Sequence, residues 1–442
     1  MEKRSVIIGL GTNIGNKLSN LRYAVKLLNN IKYINIVKLS KIYTSPALLK
    51  IHSPKSWNKD FFNMAIHIEI TKDLHILLKD IQKIEIIMGR ECNHLTWSPR
   101  IIDLDILASQ NTLITTKHLT VPHKELLKRS FALIPLLELT PTWQHPKYKD
   151  LDLEVLCRQF LDIKPTYFRI YGSRIMGIVN LTQESMSGLK NKNDLTIEAV
   201  TNEIINLVNN GAEIIDIGAE STRPNAAPLM ANEEWKILEP IIKQLDYIKN
   251  KEELLLIPEI SIDTYHNTTI RNLQAFNIDY INNIYSQDTT ELKKALYDFS
   301  GKYIFMHNLG RAGLKYIKNS DSALEHVINF YKEQYTKLIN FGLEKSQLIY
   351  DLGFGFGKKN HHILELIHNI KTIRKFIDIP ILAGHSRKSS VMPSTSHLSP
   401  IERDLETAMM SKYLSDQGIN ILRVHNSNYT SRLLHMELPE PN

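Results

Sequence analysis

The sequence predicts two domains of different fold class. An α+β domain over residues 1–158, with a ferredoxin-like split βαβ core and a mostly antiparallel sheet, is expected to precede an α/β domain over 173–442 closing as a (β/α)8 TIM barrel, with 159–172 as a linker. Three observations predict this. The 442 residues suffice for two or three cores. The order of apolar segments is mixed up to about residue 160 and strictly alternating after it. The alternating part supplies strand–helix units in the number a closed barrel needs.

In the first domain a strand at SVIIGLG is followed by a helix near LSNLRYAVKLLNN, strands near INIVKLSKIYTS and FFNMAIHIEI, and a helix at LHILLKDIQKIEIIMG. A strand at IIDLDIL and a helical tail, KELLKRSFALIPLLEL, complete it. In the second domain short apolar strands recur at IMGIVN, IIDIG, LIPEISID, YINNI, YIFMHN, LIYDL, PILAGH and ILRVH, with amphipathic stretches between them and after the last. An open doubly wound sheet is the alternative, but it usually takes fewer strands and its glycine-rich first turn is missing.

Composition narrows the function classes. Apolar residues make up 43% and charged residues 23%, as in an ordinary soluble globular protein. The start, MEKRSVIIGLG, is too short in apolar residues for a signal peptide, and no apolar run reaches membrane-spanning length. Two cysteines, Cys92 and Cys157, rule out a disulfide framework and fit the cytoplasm. The net charge is +7, yet basic runs are diluted with acids and no Lys/Arg cluster is interleaved with aromatics. Nucleic acid is therefore not expected as a partner, whereas small anionic substrates would gain from the field.

The strand within WSPRIIDLDIL carries two carboxylates, Asp103 and Asp105. Side chains alternate along a strand, so both point to one face, roughly 6–7 Å apart. A solvated acidic face is one reading. The other is a site for hard cations, which in pairs serve phosphoryl chemistry.

In a parallel barrel the site lies at the C-terminal ends of the strands. Those ends carry Asn180, Glu220 running into Ser221-Thr222-Arg223-Pro224, Asp263, Asn282, His307, Asp351, Ser386-Arg387-Lys388, and Arg423 with His425. Asp263, Asn282 and Asp351 suit a flat heterocycle rich in N–H donors. Thr222, Arg423 and His425 suit an oxyanion such as phosphate. In DLGFGFGKK the glycines let backbone approach a ligand, and Phe354 or Phe356 would cover a ring.

Two resemblances join these residues. The second part, through IMGIVNLTQES, GAESTRPNAAP, SIDT, INNI, FMHN, DLGFGFGKK, GHSRKSS and RVHN, resembles dihydropteroate synthase in order and spacing. The first, through GLGTNIGNK, IYTSPAL, FFNMA, WSPRIIDLDIL and LTVPHKELLKRSFALIPLLEL, resembles 6-hydroxymethyl-7,8-dihydropterin pyrophosphokinase. The resemblance implies transfer of diphosphate from ATP to the pterin hydroxymethyl group, giving AMP, and then condensation of the pterin diphosphate with p-aminobenzoate.

For the kinase part it implies Asp103 and Asp105 as ligands of two Mg2+ ions and Arg90 and Arg100 as phosphate-facing cations. It implies Trp97 on the same loop, and His123 on the nucleotide side. Asn63, Phe131, Ser45 and Leu48 match positions around the pterin, and Glu85 matches a residue behind the site, with a solvated helix face as its alternative. For the synthase part it implies Asp263, Asn282, Asp351 and Lys388 in the pterin pocket and Asn180 near Mg2+. Thr222, Arg423 and His425 match the diphosphate grip, with Arg223 and Pro224 on a loop beside it. Barrels of this family pair through outer helices, so a homodimer is the expectation.

Departures from the family pattern are Cys92 and Lys124 in the kinase part and Gln183, Glu184, Met186 and Gly188 in the first barrel loop, with Asn283 and Leu352 elsewhere. The loop changes leave open a second reading in which the barrel binds pterin with weak synthase activity.

Overall fold

The structure, a computed structural model, describes residues 3–90, 98–181, 197–220, 228–285, 290–309 and 315–436. The chain divides into two units, Met1–Tyr171 and Gly172–Asn442.

The first unit runs β1 (Arg4–Thr12), α1 (Lys17–Asn29), β2 (Ile34–Leu39), β3 (Tyr43–Ser45), β4 (Phe61–Ile70), α2 (Leu74–Ile87) and β5 (Asp103–Ala108). A small ribbon, β6 (Ile114–Thr115) and β7 (Thr120–Val121), leads to α3 (Ser130–Leu139), α4 (Leu153–Arg158) and β8 (Lys164–Pro165). The main sheet has the order β5-β1-β4-β3-β8, with β2 also on β4, and every pairing is antiparallel. This is the split βαβ arrangement expected from the sequence. Helix starts are set locally: Asn16 accepts from the Ser19 amide at 3.0 Å and Asp73 from the His75 amide at 2.8 Å. On one sheet face Ala132, Leu133, Leu136 and Leu139 of α3 pack with Ile7, Ala65 and Leu107. Burying each large side chain contributes about 1.5–3 kcal/mol.

Three expectations are corrected here. The strand over INIVKLSKIYTS is two strands, because the chain leaves the ladder at Ser40, whose hydroxyl accepts from the Ala65 amide at 2.9 Å. The helical tail begins at Ser130, because Arg129 is extended at φ −115° and ψ 103° and interrupts the turn before it. Residues 159–172 do not hang free as a linker. Lys164–Pro165 pairs with β3, Phe168 is buried with its ring 5.6 Å from that of Phe62, and Arg22 donates to the Arg169 carbonyl at 2.6 Å.

The second unit is a closed parallel barrel. Its strands are β9 (Arg174–Asn180), β10 (Ile214–Gly218), β11 (Glu259–Asp263), β12 (Tyr280–Asn283), β13 (Lys302–Met306), β14 (Leu348–Asp351), β15 (Ile381–Ala383) and β16 (Ile421–Val424), each paired with the next and β16 with β9. The helices are α5 (Ile197–Asn209), α6 (Ala231–Ile242), α7 (Leu245–Lys249), α8 (Asn267–Leu273), α9 (Thr290–Leu296), α10 (Ala323–Phe341), α11 (Asn360–His368), α12 (Ile370–Phe376), α13 (Asp404–Asp416) and α14 (Ser427–Leu434). Met176, Ile214, Tyr280, Ile304, Ile349, Leu382 and Ile421 form a buried cluster drawn from seven of the strands. At the N-terminal end of the strands Arg174 joins Glu213 at 2.9 Å, Glu259 at 3.0 Å and the Tyr280 hydroxyl at 2.9 Å. That closes the end opposite the rim, leaving the C-terminal ends for chemistry.

Candidate active sites

In the first unit, β1, β4, β5 and the start of α3 converge on a cavity of about 210 Å³. Asp103 and Asp105 both face it, as alternation requires, and it is also lined by Ser45, Leu48, Asn63, Arg100, His123 and Phe131. Gly11 and Gly9 of β1 stand opposite Asp103 and Asp105. A Cβ at Gly11 would lie 3.0 Å from Asn63 Oδ1, so glycine there leaves the amide its place. Asn63 donates to the Ser45 hydroxyl at 3.0 Å, which fixes the amide's orientation.

Electrostatics tie the strand to its surroundings. Each oxygen of Asp103 carries an arginine: Arg90 on Oδ1 at 2.9 Å and Arg100 on Oδ2 at 2.9 Å. Burial, with Asp103 beside it, pushes the Asp105 carboxyl up to about 6. Glu85 is buried, not solvated; it accepts from the Leu104 amide at 2.9 Å and pairs with Arg90. Because β5 is an edge strand, that bond satisfies an amide between the two aspartates and pins the strand against α2. Burial pushes Glu85 up to about 7. His123 takes the Glu125 amide on Nδ1 at 3.3 Å, and burial, helped by Arg129 and Lys124, brings its imidazole down to about 4. Trp97 and Cys92 lie outside the described residues.

In the barrel a second cavity, of about 70 Å³, opens at the C-terminal rim among Asn180, Asn282, Asp351, Phe356, Ser386, Lys388, Arg423 and His425. Arg423 is the hub. It donates to Asp216 at 2.6 Å and to Asp263 at 2.7 Å, and although burial works against its charge, the two carboxylates raise it above its ordinary value. Asn282 donates to Asp216 at 3.1 Å. Asp216 Oδ1 and Asn282 Oδ1 are buried and accept no hydrogen bond among the described residues. Such orphaned acceptors fit a donor-rich heterocycle. Burial pushes Asp263 up to about 7 and raises Asp351, which accepts from the Gly353 amide at 2.7 Å. Lys388 donates to the Phe354 carbonyl at 2.6 Å and sits 4.9 Å above the Phe356 ring; burial brings its amine down to about 8. His425 contacts the Ser386 hydroxyl at 3.0 Å through Nδ1. Thr222, Arg223 and Pro224 lie outside the described residues, as does the first barrel loop with Gln183, Glu184, Met186 and Gly188.

The family "7,8-dihydro-6-hydroxymethylpterin-pyrophosphokinase" matches residues 7–141, and "pterin binding enzyme" matches residues 176–425. The folate synthesis bifunctional protein of Chlamydia trachomatis serovar D is 30% identical over 97% of this chain and 96% of its own length. The chain belongs to the bifunctional folate-synthesis family. In that family the two units catalyse the pyrophosphokinase and dihydropteroate synthase steps of folate biosynthesis, and so they do here.

Solved relatives cover the barrel. Dihydropteroate synthase from Anaplasma phagocytophilum, solved with 6-hydroxymethylpterin-monophosphate, is 29% identical at a TM-score of 0.52, covering 60% of this chain and 97% of that one. The Xanthomonas albilineans enzyme, solved with 4-aminobenzoic acid, is 27% identical at a TM-score of 0.52, covering 60% and 91%.

Around the two cavities, the strand ends alone misplace one residue and leave others out. His307 does not reach the rim cavity; it is buried beneath the glycine loop, and Met306 lines the cavity in its place. Arg387 is forked onto Asp404 at 2.7 and 2.9 Å and holds the start of α13. Of the two phenylalanines, Phe356 lines the cavity and Phe354 is fully buried. Asp216 was missed, although a carboxylate inside the apolar run IIDIG is the signal that marked Asp103. Arg129, which lines the kinase cavity with its guanidinium 5.8 Å from the Phe131 ring, was hidden in an apparently continuous helix.

Proposed function

We propose a residue-level division of labour for the two reactions. In the first unit Asp103 and Asp105 would hold Mg2+, which supplies charge neutralisation and alignment for the triphosphate of ATP. The donor set fits. The carboxylates are hard, share one face, and keep lone pairs beyond those the arginines use. Arg90 and Arg100 grip phosphate oxygens and His123 lies on the nucleotide side. Phe131 stacks on the pterin, while Asn63, oriented by Ser45, reads its edge and Leu48 closes the apolar side. The pterin hydroxyl oxygen attacks the β-phosphorus and loses its proton, the bond from the β-phosphorus to the oxygen it shares with the α-phosphate breaks, and AMP leaves with that oxygen. Trp97 is proposed for the nucleotide side from the family motif alone.

In the barrel Asp263, Asn282 and Asp351 read the pterin, Phe356 and Lys388 cover it, and Asn180 would contribute to a Mg2+ site through its carboxamide oxygen. Arg423 and His425, with Thr222 and Arg223 proposed from the motif, take the diphosphate. The amine of p-aminobenzoate forms a bond to the pterin methylene, loses a proton, and diphosphate leaves. A weak nucleophile makes leaving-group departure the hard part, so fixed cations at the diphosphate carry most of the help.

The observation that carries this reading is convergence: in each unit, residues distant in sequence and picked out by their chemistry or by the family motifs line one cavity, with Asp263 joined to the barrel's through Arg423. One reaction with Mg2+, ATP, 6-hydroxymethyl-7,8-dihydropterin and p-aminobenzoate, followed by mass spectrometry, tests it. Dihydropteroate with AMP is expected. Pterin diphosphate accumulating alone would favour the reading of the barrel as a weak synthase, and absence of AMP would sink the kinase assignment.

We also propose a cytoplasmic homodimer. The low cysteine count supports the location; among the described residues no helix is long and apolar enough to cross a membrane. Leu405, Met409 and Tyr413 recur every fourth residue along α13 and are all exposed, and Ile401 in the turn just before the helix is exposed as well; this apolar stripe supports pairing there. A Leu405→Asp, Met409→Asp double substitution should halve the mass found by light scattering; an unchanged mass rejects that face.

A further inference from the structure

The barrel contains a buried lysine that the proposed mechanism does not use. Lys358 is 2% exposed and closes the loop that follows β14. Its ammonium has three N–H bonds, and four acceptors surround it: His307 Nδ1 at 2.7 Å, the Gly353 carbonyl at 2.9 Å, the Phe356 carbonyl at 3.1 Å and the His307 carbonyl at 3.3 Å. Among the described residues no carboxylate pairs with it directly. Burial brings its amine down to about 7, and taking so polar a group out of water costs free energy that an apolar side chain of equal length would avoid. Something other than packing is therefore gained.

The acceptors show what it holds. Gly353, Gly355 and Gly357 all have positive φ, at 64°, 86° and 68°, so the loop folds back on itself. Gly353 lies so close to the His307 carbonyl that no side chain fits between. Phe356 lines the rim cavity, and the Phe354 carbonyl receives Lys388. Both therefore belong to a loop whose two ends and middle meet at one ammonium. The imidazole of His307 also packs edge-on against the Phe330 ring, at 5.0 Å.

We propose that Lys358 is a positioning residue of the synthase site: with His307 it clamps the glycine loop to the end of β13 and so fixes the Phe356 ring and the carbonyl that seats Lys388. The inference rests on the reading that Phe356 and Lys388 contact the pterin diphosphate and goes beyond it, since Lys358 touches no substrate.

The test is steady-state kinetics of the full chain with pterin diphosphate and p-aminobenzoate supplied. Lys358→Met should raise the KM for pterin diphosphate roughly tenfold or more, while the pyrophosphokinase rate of the same preparation stays at the wild-type value. A purely structural role would instead lower the apparent kcat with the fraction folded and leave KM unchanged. In a Phe356→Leu background, Lys358→Met should raise KM by a smaller factor than in the wild type, because one of its two targets is already gone. Should Lys358→Met fail to fold, His307→Leu, which keeps the three carbonyl acceptors, decides with a smaller shift in the same direction. Wild-type KM values in whichever of these variants folds would overturn the inference. If Phe356→Leu itself left KM unchanged, the reading of the pocket would fall instead, and the two failures are distinguishable.

Discussion

Asp103 carries an arginine on each oxygen, and among the described residues its neighbour Asp105 carries none. Removing charge from the two should therefore act differently on structure and alike on catalysis. Asp103→Asn leaves Arg90 and Arg100 without their shared carboxylate, whereas Asp105→Asn relieves like-charge crowding. Either substitution should lower pyrophosphokinase kcat/KM by on the order of 10²–10³, with synthase activity on supplied pterin diphosphate unchanged. Near-normal kinase activity in both variants would remove the aspartates from the mechanism. In the barrel, burial brings the Lys388 amine down to about 8 and that of Lys358 to about 7. Both lysines return to an ordinary value near 10.5 on unfolding. Between those values the unfolded chain binds more protons, so barrel stability rises as pH increases from about 7 to 10. Over the same range Lys388 loses its charge, so synthase turnover should fall above about 8. Melting temperature and kcat should thus move in opposite directions between pH 7.5 and 9.5; parallel decline would contradict the assignment of Lys388.

Glycines at positive φ make the loop after β14 both a recognisable sequence and a mechanical element. Alanine at Gly353, where φ is 64°, would meet left-handed strain of about 1–2 kcal/mol and collide with the His307 carbonyl. Gly353→Ala should therefore lower the melting temperature of the barrel and weaken pterin diphosphate binding, which differential scanning calorimetry and synthase KM would register together. Gly342→Ala makes a control, because its φ of 105° is equally left-handed but nothing lies within 4 Å of the added methyl group. The same contrast explains what was legible in the sequence. Barrel strands announce themselves as short apolar runs separated by amphipathic helices, and their ends point to the rim by topology alone. What such reading cannot see is a side chain's partner. His307 stands at a strand end yet serves Lys358, and Asp216 sits inside a strand yet holds Arg423 and Asn282. Likewise β8 is two residues long, too short for a periodic signal, and its role appears only through pairing with β3.

At the scale of the whole molecule, the change from mixed to alternating order marks two units, each with its own buried core and its own cavity. Every residue proposed for the kinase step lies within Met1–Tyr171, and every residue proposed for the synthase step within Gly172–Asn442. Among the described residues each cavity is lined from its own unit alone, so neither reaction is expected to require the second site on the same chain. Pterin diphosphate made at one cavity can then reach any barrel through solution. A chain carrying Asp103→Asn and a chain carrying Lys388→Ala, each strongly impaired in the coupled reaction, should together form dihydropteroate from ATP, hydroxymethyldihydropterin and p-aminobenzoate far faster than either alone. The mixture should show a lag while the diphosphate accumulates, shortening as total protein rises, because encounter with a free intermediate depends on concentration. Time courses at several protein concentrations measure this directly. If each variant retained its remaining half-reaction but the mixture made no dihydropteroate, the intermediate would have to pass within a single chain, and the independence of the two sites would be refuted.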